Sequence, residues 1–152
     1  LGIFFEKCYL AGGRDMEGML NHAAHQLWDV LRAESSRSPE LWQGLRFLIN
    51  APEGGSACKR MVMFLRWMVR KDEIDFGLWT WMKPSELLIP VDTHIARFSH
   101  QLKLRKGTAK RAVSWAMAKE ITTSLRQLNP DDPVCYDFCL TRVGIIEKKR
   151  EF

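Results

Sequence analysis

Apolar residues recur at helical spacing through nearly the whole chain, and clusters of proline and glycine cut that pattern into short pieces. No stretch alternates apolar and polar residues as a half-buried strand would. Short amphipathic helices bury their stripes by packing on one another around a shared core. The expected fold is therefore all-α, a helical bundle. At 152 residues, one core and a single domain spanning 1–152 are expected. With 46% hydrophobic and 27% charged residues, the composition excludes a disordered chain. No apolar run approaches the roughly 20 residues that span a bilayer.

The breaks place the helices. Asp15 can cap a helix to about Glu34, with Leu20, Ala24, Leu27 and Leu31 on one stripe. After a loop at Ser35-Ser36-Arg37-Ser38, Ser38-Pro39-Glu40 starts a second helix through Leu48. Asn50-Ala51-Pro52-Glu53-Gly54-Gly55 is a turn, and Ser56 or Ala57 opens a helix to about Arg70. On that helix Lys59, Met63, Arg66 and Arg70 fall on one side, opposite Met61, Phe64, Leu65, Met68 and Val69. Residues 71–90 read as an irregular connector, with one short helical turn near Ser85-Glu86-Leu87-Leu88. Pro90 disfavours helix at Ile89, and Asp92 caps a helix through Leu102. A further helix runs from about Thr108 to Leu128, and Asp132-Pro133 caps a last one to about Gly144. The tail from Glu147 to Phe152 reads as frayed.

The N-terminal Leu1-Gly2-Ile3-Phe4-Phe5 is too short, and lacks the basic flank, for a signal peptide. The first residue is not methionine, so the chain reads as the C-terminal part of a longer protein. The four cysteines, Cys8, Cys58, Cys135 and Cys139, are too scattered for a zinc or iron–sulfur site. No metal and no cofactor is expected, and reduced thiols fit a cytoplasmic protein. His22 and His25 share a helix but lack a third ligand.

Charge is unevenly distributed. The net +5 arises from residues 57–112, which carry +7, while residues 1–56 carry −2 and the remainder is neutral. A polyanion is one partner for such a segment, and a solvated basic surface is the plain alternative. The same segment holds Pro90-Val91-Asp92-Thr93-His94 and Gly54-Gly55-Ser56-Ala57-Cys58-Lys59-Arg60, with Lys59 33 residues before Asp92. A lysine just after a glycine turn lies beside the N–H groups of a starting helix, which favour anions. If Lys59 and Asp92 face one another, an amine and a carboxylate meet that can attack and stabilise an electrophilic sugar carbon. Taken singly, a solvated helix-start lysine and a plain N-cap aspartate are the stronger readings.

Two glycines in a turn between helices, followed by a lysine, outline a helix-hairpin-helix, about residues 50–104 with the aspartate segment included. Gly54 to Lys59 resembles a stretched form of the hairpin in the helix-hairpin-helix DNA glycosylases. Val91-Asp92-Thr93-His94-Ile95-Ala96-Arg97 resembles the segment that bears their catalytic aspartate, as in the endonuclease III group. Asp137-Phe138-Cys139-Leu140-Thr141-Arg142-Val143-Gly144 resembles the helix that closes the domain. The wide lysine–aspartate interval is similar to that of the archaeal 8-oxoguanine DNA glycosylases. The chain also looks like an uncharacterised bacterial family, through Gly55–Arg60, Phe64–Arg70, Asp75-Phe76-Gly77, Pro90–His94 and Asp132–Phe138. The resemblance covers roughly residues 40–146. The compact Pro-Gly-x-Gly-x-Lys hairpin and the iron–sulfur cysteines of that superfamily are both missing.

The resemblance implies base-excision repair: a flipped base, Lys59 as the amine nucleophile forming a Schiff base, and Asp92 stabilising charge on the sugar. An oxidised purine such as 8-oxoguanine in duplex DNA is the implied substrate, with strand cleavage by β-elimination. Gly54, Gly55, Ser56, Arg60, Arg66, Arg70, His94, Arg97, Lys103, Arg105 and Lys106 are then the candidate phosphate contacts, extended by Lys110 and Arg111. Trp67, Trp79 and Trp81 are candidate walls of a base pocket, or simply core. Asp75 and Asp137 are expected to pair with Arg66 or Arg70 inside the fold. The alternative is a nucleic-acid-binding module that keeps the fold without the chemistry.

Overall fold

Asp15 ends a tight turn and opens a long helix, its Oδ1 accepting the N–H groups of Glu17 and Gly18 at 2.8 and 3.0 Å. The computed structural model describes residues 1–33, 39–108 and 110–142, and all its regular elements among them are helical. They are α1 (Gly2–Ala11), α2 (Met16–Ala33), α3 (Pro39–Leu48), α4 (Lys59–Val69), α5 (Thr93–Gln101) and α6 (Trp115–Arg126). A 3-10 turn at Pro133–Tyr136 leads into helix over 137–142. The all-α fold is as the sequence indicates, and the one β-like contact among the described residues is an isolated bridge between Lys71 and Phe76. The loop expected at Ser35–Ser38 and the frayed tail lie outside the described residues.

α1 has no counterpart in the sequence reading. It buries Phe5, Cys8 and Tyr9 while Ile3 and Leu10 stay exposed. Apolar side chains on nearly every side leave no periodic signal, so the segment read only as a short apolar start. Its packing on α2 depends on backbone contact. A methyl group at Gly18 would lie 1.9 Å from the carbonyl oxygen of Gly12.

Two other boundaries differ from expectation. α6 begins at Trp115, not near Thr108, because Ser114 is its N-cap and accepts the Met117 N–H at 3.3 Å. The preceding stretch is held instead by Arg105, which donates to the carbonyls of Ala96 at 2.8 Å and Thr108 at 3.0 Å. Asp132 stands at the N-cap of the Pro133–Tyr136 turn as expected, but its side chain makes no capping hydrogen bond, both carboxylate oxygens accepting from Arg70 Nε at 2.9 Å.

The core that positions the site lies between α4, α5, α6 and the end of the connector. Val62, Leu65, Ile89, Val91, Ile95, Met117, Ile121, Leu125 and Val134 are all fully buried. Each such side chain contributes about 1.5–3 kcal/mol on leaving water. Leu87 to Val91 passes through this core without helix, so its backbone needs partners elsewhere. Thr122 supplies one: its Oγ accepts the Ile89 N–H at 3.0 Å and donates to the Ala118 carbonyl at 2.7 Å.

Candidate active site

The buried run ending at Pro90 and Val91 delivers Asp92 to the start of α5 with little freedom. Asp92 Oδ1 accepts the N–H groups of His94 and Ile95, each at 2.9 Å. That is an N-cap, as expected, and it uses only one carboxylate oxygen. The other, Oδ2, accepts from Lys59 Nζ at 2.8 Å. The lysine and the aspartate, 33 residues apart in sequence, therefore meet.

Lys59 is the first residue of α4 rather than the third or fourth, because Cys58 stands at the N-cap with φ 47°. L-residues enter this left-handed region rarely, and such conformations persist where the surroundings impose them. The Cys58 thiol donates to the carbonyls of Asn50 and Ser56 at 3.4 Å, and burial pushes its pKa up to about 11. Gly55 at φ 79° makes the preceding reversal, and its carbonyl accepts the Trp115 N–H at 3.2 Å. The turn is thus pinned to α6.

The side chain of Lys59 is 41% exposed and that of Asp92 24%. Burial alone would raise the Asp92 pKa. The Lys59 hydrogen bond, the Ile95 N–H and the lysine charge outweigh it and hold the carboxyl below its ordinary value. Beside the pair lies a small cavity of about 160 Å³, lined by Lys59, Met63, Arg66, Pro90, Ile95, Asp137, Phe138 and Thr141. Larger clefts of about 480 and 550 Å³ lie elsewhere, but neither is lined by Lys59 or Asp92. The small one is lined by Lys59.

The wall beneath is an ion network. Arg66, 7% exposed, donates to Asp137 and, through Nη2 at 3.2 Å, to Asp75. Arg70 pairs with Asp72 at 2.8 Å, with Asp75, and with Asp132 at 2.9 Å. Asp137 has its pKa raised by burial, with the Arg66 charge opposing and the Asp92 charge reinforcing the shift. The expected pairing of Asp75 and Asp137 with these arginines is present. The same contacts correct the expectation that Arg66 and Arg70 reach DNA phosphates: both guanidinium groups are spent inside the fold.

Other candidates divide in the same way. Arg105, 5% exposed, is committed to backbone carbonyls and cannot present its head to a phosphate. Lys103 and Lys106 are exposed, as is Lys110, while His94 and Arg97 are half-buried on α5. Arg111 pairs with Glu120 at 2.7 Å. Arg60 is exposed and lies over the Phe47 ring, 3.8 Å from its centre. Gly54 and Gly55 are exposed, but their N–H groups already donate to the carbonyls of Ala51 and Pro52. They have no N–H left for a phosphate. Ser56 Oγ accepts the Cys58 N–H at 3.2 Å.

The tryptophans are not where a base pocket at Lys59 would need them. Trp79 and Trp81 stack at 5.3 Å, Trp79 packing on Phe5 and Phe64, and Trp81 on Tyr9. They form the wall against α1. Trp67 offers its carbonyl to the N–H groups of Phe76 and Gly77, and its side chain does not line the Lys59 cavity. Met63, Pro90, Phe138 and Thr141 are the wall residues that sequence reasoning passed over. A helical i, i+4 count from Asp137 to Thr141 would have found one of them.

Among the described residues there is no group of His, Cys, Asp and Glu able to hold a metal ion, and no helix long and apolar enough to cross a membrane. A family described as "Protein of unknown function (DUF2400)" matches residues 3–146, and the chain belongs to it. No match was found among curated proteins or solved structures.

Proposed function

We propose that this member of the family is a DNA glycosylase with lyase activity, acting in the cytoplasm on an oxidised purine in duplex DNA. One observation carries the reading: Lys59 Nζ lies 2.8 Å from Asp92 Oδ2, at the starts of two helices and beside a cavity. The contact gives the lysine a route to lose its proton through Asp92 to water, which returns Asp92 to its carboxylate form. The neutral amine then attacks the anomeric carbon. A C–N bond forms as the glycosidic bond breaks, and the base leaves with the electron pair and takes up a proton. Opening of the sugar ring leaves a Schiff base on Lys59. Loss of the neighbouring C2′ proton then expels the 3′ phosphate by β-elimination. Asp92, held as a carboxylate, faces the positive charge that develops on the sugar.

At about 160 Å³ the cavity is smaller than the ~300–1,000 Å³ of common ligand pockets, so a base enters only as a wall moves. Phe138, 48% exposed, is the wall with least packing to lose. The test is borohydride reduction of the protein with duplex DNA containing 8-oxoguanine. A covalent adduct on Lys59, absent in Lys59→Gln, is the expected result. Failure to trap across a panel of oxidised purines sinks the lyase reading. The rival reading, a non-catalytic nucleic-acid-binding module, is favoured by the small size of the Lys59 cavity. It predicts salt-sensitive DNA binding with no base release.

A further inference from the structure

The cleft of about 480 Å³ lies on the other flank of the turn that leads to Lys59. Its lining combines aromatic, cationic and amide groups: Trp28 and Arg32 from α2, Trp42 and Arg46 from α3, and Asn50 and Ser56 from the turn. The indoles of Trp28 and Trp42 are nearly parallel, 12° apart, with centres at 5.8 Å. Trp28 is held by its Nε1–H donating to the Ile49 carbonyl at 3.3 Å. Glu53, the acidic residue of the lining, is hydrogen-bonded to His25 Nε2 at 2.5 Å.

A stacked aromatic pair beside two guanidinium groups is a pairing that single-stranded nucleic acid uses, bases stacking on aromatic rings and phosphates meeting cations. The volume lies within the ordinary range for a ligand-sized pocket. Ser56, which lines this cleft, and Lys59, which lines the smaller cavity, are three residues apart, so their backbones are within about 11 Å. We propose that this cleft binds one unpaired nucleotide of a DNA strand, its base on the Trp28–Trp42 wall and its phosphate on Arg32 and Arg46. The inference rests on the DNA reading above but not on the chemistry of Lys59. It gives the protein a grip on a distorted strand outside the reaction cavity.

The experiment measures binding of a fluorescein-labelled, undamaged thymidine decamer by anisotropy at low salt, for the whole protein and its variants. Trp42→Ala and Arg46→Glu are each expected to weaken binding about tenfold, and Trp42→Phe to restore most of it. Arg46 is exposed, so the charge reversal leaves folding intact and keeps the test valid if Trp42→Ala unfolds. Equal binding by wild type and Arg46→Glu overturns the inference. Displacement of the decamer by free thymidine monophosphate at matching concentration also overturns it, in favour of a free nucleotide. If wild type does not bind the strand at all, the cleft proposal falls, while borohydride trapping on lesion duplex by the same sample judges the glycosylase reading separately.

Discussion

Asp92 does two jobs with two oxygens, and substitutions can separate them. Asparagine keeps an oxygen for the His94 and Ile95 N–H groups but loses the charge facing Lys59. Alanine loses both. Asp92→Asn is expected to fold, with a modest loss of stability at neutral pH, and to abolish base release while leaving DNA affinity nearly intact. Asp92→Ala is expected to lose about 1 kcal/mol more, the usual cost of an N-cap. Because the folded carboxyl is held below its ordinary value, its stabilisation is fully present above the unfolded pKa and is lost as pH falls through the folded one. The stability gap between wild type and Asp92→Asn should therefore shrink below about pH 4 in urea titrations. A gap that widens on acidification would contradict the assignment. Arg66 makes a different point. Removing it strands the carboxylate of Asp137 in the interior, while Asp75 keeps Arg70, so Arg66→Met should cost about 3–5 kcal/mol. A loss under 1 kcal/mol by chemical denaturation would show that the pairing matters little.

Among the elements, the crossing of α1 and α2 is set by glycine. Alanine at position 18 would gain up to about 1 kcal/mol of helix propensity. Against that, its methyl would sit 1.9 Å from the Gly12 carbonyl oxygen, which no side-chain rotation relieves. Separating the helices uncovers Phe5, Cys8 and Tyr9 and loosens the Trp79–Trp81 wall behind α4. The clash wins, and Gly18→Ala is expected to destabilise by about 1–3 kcal/mol. A denaturation midpoint at or above wild type would refute the close-contact argument. α4 shows how one element can satisfy a helical pattern and still mislead. Lys59, Arg66 and the following Arg70 do share a side, but that side faces the carboxylates of Asp75, Asp132 and Asp137, with Lys59 left at the end to meet Asp92.

Over the whole molecule, the positive excess of residues 57–112 shrinks as a binding surface once its arginines are placed. Arg66, Arg70, Arg105 and Arg111 are engaged internally, and the exposed charge falls mainly to Arg60, Lys71, Lys83, Lys103, Lys106 and Lys110. DNA affinity should therefore depend on only a few phosphate contacts. Lys106→Ala is expected to flatten the plot of log affinity against log salt by about one unit while lowering affinity on all sequences alike. An unchanged slope would remove Lys106 from the interface.

Local rules determined much of this protein. Capping at Asp15 and Asp92, proline at the first position of α3, and the helix-breaking glycines all act within a few residues, so helix identity and the place of the Asp92 turn were legible. Resemblance drew attention to Lys59 and Asp92 as a pair. Tertiary structure alone decided that they touch, because the contact spans a connector whose path is fixed by Thr122 and the buried run to Val91. It also decided which cations face solvent. Charge can be counted along a sequence, but whether an arginine meets water or a carboxylate depends on what the fold brings opposite it.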